Sequence, residues 1–208
     1  MPMNKAHRVL CSSKGWARHT ERHLLPWALD GVELGEDVLE LGPGYGANLR
    51  VLVERAPRVT ALEIDGPTAA RLTRNWSPRV RVLHGDGAAM PLPDDGFSSV
   101  VCFTMLHHVA TSALQDRLFA EAFRVLRPGG VFAGSDSRPT LPFRLLHLGD
   151  TMNVLAPDAL GLRLTAAGFE DVTVQCDRRG HSVRFHARKT RSRPAPHPQN
   201  GARRPAAR

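Results

Sequence analysis

The sequence predicts an α/β fold: a mostly parallel sheet between helical layers, with one reversed strand at its end. Three observations carry this. Short apolar runs alternate with segments of helical spacing along the chain, as crossover helices between parallel strands require. A glycine turn, Gly42-Pro43-Gly44-Tyr45-Gly46-Ala47, follows the first run, and Glu63 lies 21 positions after Gly42 at the end of the next. That pairing is the layout of a nucleotide-binding βαβ unit, with a carboxylate placed for ribose hydroxyls. Two last apolar runs meet at Arg179-Gly180, a hairpin signal.

The elements follow in order. Residues 7–30 read as helical, with Leu24, Leu25, Trp27, Ala28 and Leu29 as an apolar cluster and Asp30-Gly31 as the stop. Strand 1 is 37–41. A helix begins near Gly46, carries Leu49, Leu52 and Val53 on one side and closes at Pro57. Strand 2 is 59–64. Residues 66–76 form a helix with Pro67 suited to its first turn. Strand 3 is 80–84, and strand 4, 100–104, is a continuous apolar run of the kind buried on both faces. A helix over 112–125 is stopped by Pro128-Gly129-Gly130, and strand 5 is 130–136. A helix over 158–167 ends at Gly168, and 172–176 and 182–187 are the hairpin strands. Three segments result: a helical N-terminal segment, 1–36, able to close as a lid; a sheet domain, 37–188; and a basic tail, 189–208.

Composition narrows the function classes. A length of 208 residues suits one domain with a substantial core. The net charge of +8 is concentrated at one end: seven of the 28 lysines and arginines fall from Arg188 onward, with no acid among them. The remaining 21 face 20 acidic residues, so the folded part is nearly neutral, which argues against a cleft for a phosphate backbone and against nucleic acid as partner. The tail is rich in Pro, Ala, Arg and Gly and is expected to be disordered. No run reaches the ~20 apolar residues of a membrane helix, and no apolar stretch follows Lys5 and Arg8 as a secretory signal would require. Cys11, Cys102 and Cys176 lack C-x-x-C spacing. Free thiols in a reducing cytoplasm are expected, with no metal.

Four motifs occur in order. They are Glu40-Leu41-Gly42-Pro43-Gly44-Tyr45-Gly46, then Leu62-Glu63-Ile64-Asp65, then His84-Gly85-Asp86-Gly87-Ala88-Ala89-Met90-Pro91, then Thr104-Met105-Leu106-His107-His108 with Leu126-Arg127-Pro128-Gly129-Gly130 after it. Together they resemble the class I S-adenosylmethionine-dependent methyltransferases of the small-molecule, type 11 group, closely over 37–132 and loosely to 186. The resemblance implies a Rossmann-like three-layer αβα sandwich, a seven-stranded sheet in the order 3-2-1-4-5-7-6 and an antiparallel last strand. It also implies S-adenosylmethionine as cofactor and a small-molecule methyl acceptor as partner.

On the same resemblance Gly42, Gly44 and Gly46 turn under the cofactor. Glu40 lies near the methionyl amino group, or instead caps the following helix. Glu63 takes the ribose hydroxyls, with Asp65, two residues on and on the same strand face, as the rival. Asp86 with Gly87 meets the adenine amine, unless Asp86 only closes an Asx-turn. Thr104 lines the cofactor. His107 and His108 are the candidate catalytic pair, since imidazole titrates near neutral pH, although a structural role competes. Ser98 stands where such proteins carry Asp. The Asn/Asp-Pro-Pro-aromatic segment of base and amide methylation is absent. Acceptor residues are sought among Arg138, Phe143, Arg144, His147 and Met152, and among Trp16, His19 and Trp27.

Two other readings compete. A nicotinamide-dependent oxidoreductase fits the fingerprint Gly42-x-Gly44-x-x-Ala47, but its Tyr-x-x-x-Lys pair is missing: the only tyrosine is Tyr45, with Leu49 four residues on. A cofactor-binding scaffold without transferase activity is the other.

Overall fold

A computed structural model describes residues 4–190. Strands β1 (Asp37–Leu41), β2 (Arg58–Glu63), β3 (Arg81–His84), β4 (Phe97–Phe103), β5 (Leu126–Ser137), β6 (Glu170–Cys176) and β7 (Ser182–Arg188) form one sheet in the order β3-β2-β1-β4-β5-β7-β6. The first five run parallel, and β7 is antiparallel to both β5 and β6. Order and reversal match the expectation. Alternate strand residues point to opposite faces, so β1 serves two cores. Leu39 and Leu41 join Phe119, Phe132, Phe169 and Phe185 on one face, while Val38 joins Leu49, Leu52 and Leu72 on the other. Helices α4 (Leu49–Arg55) and α5 (Gly66–Trp76) cover the second face, and α6 (Ser112–Val125) and α8 (Pro157–Ala166) the first. The result is the three-layer, Rossmann-like sandwich.

Several limits move for physical reasons. The expected helix over 7–30 is four pieces: α1 (Lys5–Cys11), α2 (Lys14–His19), a π-helical turn (Thr20–Leu24) and α3 (Leu25–Ala28). Asn4 accepts from His7 N at 2.9 Å and Ser13 from Trp16 N at 3.0 Å, so each side chain starts a new helix. Helix α4 starts at Leu49 rather than near Gly46, because Gly42, Gly44 and Gly46 all hold positive φ. Strand β5 starts at Leu126 rather than Gly130. Leu126 pairs with Phe97, the register then jumps to Ser99 with Val131, and the Pro-Gly-Gly stretch becomes a bulge inside the ladder. A short helix, α7 (Leu141–Leu146), was not foreseen; Thr140 caps it and Pro142 sits in its first turn.

Ser98 has a role that Asp could not fill. Its hydroxyl accepts from Asp37 N at 2.9 Å and faces the carbonyls of Leu34 and Asp37, acceptors that a carboxylate would repel. The basic tail expected over 189–208 lies outside the described residues from Arg191 on. Lys189 still belongs to the sheet: its amide donates to Gly130 O at 2.9 Å and its Nζ pairs with Asp95 at 2.7 Å. Among the described residues no helix is long and apolar enough to cross a membrane.

Candidate active site

A cavity of about 830 Å³ opens at the C-terminal edge of β1, β2 and β4, where open α/β sheets bind ligands. The glycine turn forms one wall. At Gly44, with φ of 55°, a Cβ would meet nothing within 4 Å, so its backbone faces open space. At Gly46, with φ of 80°, a Cβ would lie 2.8 Å from Trp76 Nε1, so the turn packs directly on α5. Glu63 is buried and lines the cavity. Its two oxygens accept from Gly44 N and Asp65 N, each at 3.0 Å, which fixes the carboxylate across the turn. Asp65 also lines the cavity, but its side chain accepts from Thr68 N at 2.9 Å and caps α5. That bond holds its carboxyl below the usual range. Arg71 donates to Gly44 O at 3.1 Å and lies 4.0 Å over the Tyr45 ring, bracing the turn from outside.

Glu40 is fully buried and lines neither this cavity nor its neighbour. Asn48, which does line the wall, donates to Glu40 Oε1 at 2.6 Å. Glu40 Oε2 has no hydrogen-bond partner among the described residues. Burial pushes its carboxyl up to about 8, against the Asn48 hydrogen bond and with help from the Glu63 charge.

A second cavity of about 230 Å³ shares Gly42, Ile64 and Met105 with the first. Its walls are Asp86, Gly87 and Ala88 on one side and Val109, Leu114 and Leu118 on the other. Asp86 Oδ1 accepts from Ala88 N at 2.8 Å, the local turn that was one of its two readings, and the residue remains exposed.

The far end of the large cavity is made by Thr104, Met105 and His108 after β4, and by Asn4, His7 and Trp16 from the N-terminal segment. Thr104 holds φ of 51°, and its amide donates to Ser135 O at 2.8 Å. A non-glycine residue in that region is strained and persists only where its surroundings fix it. The N-terminal segment is strapped down through Asp150, which accepts from Asn4 N at 2.7 Å and contacts His7 Nδ1 at 2.9 Å.

The two histidines of the candidate pair part company. His108 lines the cavity. His107 is 2% exposed and lines neither cavity. Its Nδ1 and its amide both bond Asp136, and its Nε2 faces His147 Nε2 at 3.1 Å. Of this pair, one member of which was expected to face the methyl group, only His108 reaches the cavity; Asp136, at the end of β5, holds the His107 ring inward. Burial first, then the neighbouring imidazoles, push His108 down to about 3. A group so shifted is neutral at pH 7 but a weak base.

Comparison with known proteins meets this geometry. The family model described as a methyltransferase domain matches residues 39–134, the span from β1 to β5. A Mycolicibacterium smegmatis protein named a "Probable S-adenosylmethionine-dependent methyltransferase" is 42% identical over 98 residues, covering 47% of this chain and 37% of that one. Over residues 39–134 this chain matches the class I S-adenosylmethionine-dependent methyltransferase domain. The demethylmenaquinone methyltransferase of Tropheryma whipplei is 35% identical over 105 residues, covering 48% of this chain and 41% of its own length. The matches span about half or less of the curated relatives' length. A solved chain from the complex of the Haloferax volcanii Trm112 activator with a methyltransferase superposes with a TM-score of 0.70 at 17% identity, over 91% of this chain and 100% of that one, which shows the shared fold.

Within the methyltransferase domain, the foreseen Gly42, Gly44, Glu63, Asp86, Gly87, Thr104 and His108 stand around the two cavities, whereas Glu40, Gly46 and His107 stand behind the walls. Of the acceptor candidates only Trp16 lines the large cavity. Trp27 packs under Arg184, and His19 is exposed. Arg138 is tied to Gly180 O at 3.1 Å. Sequence reasoning missed Asn4, His7, Asn48, Asp136 and Asp150. Asp136 had a readable signal, an acid at the C-terminal end of a parallel strand; His7 and Asp150 had none.

Proposed function

We propose that the protein is a methyltransferase that uses S-adenosylmethionine as methyl donor and a small molecule as acceptor. The observation that carries this is the pair of adjoining cavities, about 830 and 230 Å³, meeting over Gly42 with Glu63 on the wall between turn and β2. The residues fit the cofactor. A carboxylate has about four acceptor sites; Glu63 uses two on backbone amides and keeps two for a ribose diol. The small apolar cavity, with the Asp86 carboxylate and Gly87 at its edge, suits a purine ring with one donor amine. Asn48 donates one Nδ2 proton to Glu40 Oε1, leaving Oδ1 to accept from the methionyl ammonium. Glu40 is therefore a positioning residue for Asn48.

When bound, the cofactor supplies a methyl group on an already activated sulfonium. The chain's own contribution is proximity and alignment, worth ~7–11 kcal/mol in favourable cases. The acceptor enters from the Trp16, His7 and His108 end, beside the strap from Asn4 to Asp150. The large cavity, about 830 Å³, has room for a small acceptor beside the cofactor, and the near-neutral charge balance of residues 1–187 argues against a track for a nucleic acid backbone. The protein is expected to act in the cytoplasm.

Calorimetry with S-adenosylmethionine, its demethylated product and NADH tests the cofactor: micromolar binding of the first two and none of the third is expected. Nicotinamide binding with no adenosylmethionine binding overturns the reading. Labelled methyl donor with metabolite extracts then tests the acceptor class. Label appearing in small molecules supports it, and label only in RNA or protein overturns it.

A further inference from the structure

We propose that His7, His108 and His147 form a binding site for one divalent transition-metal ion of the zinc class, at the acceptor end of the large cavity. One ring nitrogen from each lies within 4.8 Å of the others. Nitrogens ~2.0–2.1 Å from a tetrahedral ion stand roughly 3.5 Å apart, so closure takes shifts of about 1 Å at the ring tips.

The hydrogen bonds prepare these rings as ligands. His147 Nδ1 lies 2.8 Å from Phe143 O. A carbonyl only accepts, so Nδ1 carries the proton and Nε2 is bare. His107 Nδ1 is held by the Asp136 carboxylate. His147 Nε2 also lies 3.1 Å from His107 Nε2. His7 is turned by Asp150, at 2.9 Å from its Nδ1, and Asp150 is itself fixed by Asn4 N. Carboxylates behind metal-binding imidazoles play this orienting role. The His108 ring makes no hydrogen bond among the described residues; only its backbone amide does, to Met105 O at 3.0 Å.

Charge points the same way. Asp136 and Asp150 are paired only with imidazoles, backbone amides and the Asn4 amide among the described residues. A dication balances both. Three imidazoles select zinc, cobalt, nickel, copper or ferrous iron over magnesium and calcium. Three protein ligands leave a fourth position, as in catalytic zinc sites, and His7 and His108 open onto the cavity. An acceptor hydroxyl or thiol there would lose its proton more readily. That use rests on the methyl-transfer reading; the site itself does not.

Cobalt titration of the chelator-treated full chain tests the site without any methyl donor, so it can fail independently of the methyl-transfer reading. Visible d–d bands rising to one equivalent, and bleached by zinc, are expected. His108→Ala and His147→Ala should each weaken zinc binding at least 100-fold, and Asp150→Asn by 10–100-fold, the range for orienting carboxylates. Far-UV dichroism checks the buried His147 variant, and the half-buried His108 variant answers if that one unfolds. His19→Ala/His23→Ala removes the surface imidazole pair and should change nothing. Absence of the bands in the parent overturns the proposal, as does binding lost in the surface double variant but kept in His108→Ala.

Discussion

At one end of the large cavity the wall comes from two contiguous stretches, 42–48 and 63–68; at the other it comes from 4–16 and 103–108, held from behind by residues near 136 and 150. The first end is organised by backbone: positive-φ glycines, amides donating to Glu63, a cap on α5. The second is organised by side chains that meet only because the sheet places the ends of β4 and β5 beside each other. The ends also differ in charge. Glu40 is held up towards neutrality, whereas Asp150 is held down as an anion despite its burial by bonds from His7 and Asn4. A ligand site written in backbone is stiff, and one assembled from side chains is adjustable. This division suits a fixed cofactor and a variable acceptor.

The largest expected effect is on pH dependence at the first end. Unfolded, the Glu40 carboxyl ionises near its ordinary value of 4.5; folded, near 8. Between these limits the folded state keeps a proton that the unfolded state has lost, so stability falls as pH rises through that window. At ~1.4 kcal/mol per pH unit, the loss over this window is on the order of 5 kcal/mol. Glu40→Gln should flatten the slope, melting near the parent at pH 5 and above it at pH 9. Parallel melting curves for the two proteins across pH 5–9 would mean that Glu40 is already ionised in the fold. Next is Glu63→Ala, which removes the diol acceptor and should weaken S-adenosylmethionine by about 2–4 kcal/mol, from charged hydrogen-bond magnitudes. Asp65→Ala should cost mainly the α5 cap, ~1 kcal/mol of stability. A greater loss of cofactor affinity in the Asp65 variant would exchange the two roles.

The same contrast explains what was legible in the sequence. β1, α5 and α6 have the expected limits because their signals are local: an apolar run, Pro67 after Asp65, Pro-Gly-Gly past Leu126. Glu63 was legible because spacing from a glycine turn is a local measure too. His107 was not, because its direction depends on Asp136, 29 residues away. The acceptor end was not legible either, since His7 and Asp150 are 143 positions apart and neither belongs to a motif. Glu40 was recognised as important, yet its place behind Asn48 depends on α4 starting three residues later than expected, at Leu49.

The stiffness of the first end can be probed inside one turn. Gly44 and Gly46 share positive φ, but only Gly46 is also packed. Gly44→Ala should cost about 1–2 kcal/mol, for strain alone. Gly46→Ala adds a contact at 2.8 Å against Trp76 and should cost about 2–3 kcal/mol. Differential scanning calorimetry would separate them by a few degrees, at roughly 2–4 °C per kcal/mol for a domain of this size. Equal melting points would show that the turn yields, and that its backbone is no stiffer than the acceptor end.

The smallest effect is expected at the strap. Asn4 caps α1 through His7 N and donates its amide to Leu146 O at 2.7 Å. Asn4→Ala removes both, and a lost cap is worth ~1 kcal/mol. Because α1 packs at the edge of the fold, the loss should appear as local opening more than as a lower melting temperature. Faster amide exchange over residues 5–11, with exchange over β1 unchanged, is the expected signature. Acid should act on the same contact. Asp150 has a depressed carboxyl pKa, so its contribution is present above the ordinary value of 3.8 and is lost as pH falls through the folded value. Exchange in α1 should therefore rise below about pH 4 relative to the intrinsic rate, and the parent should then approach the Asn4 variant. If the variant exchanges like the parent at neutral pH, the N-terminal segment is held by the packing of Trp16 and Leu25, and the acceptor end is stiffer than its hydrogen bonds suggest.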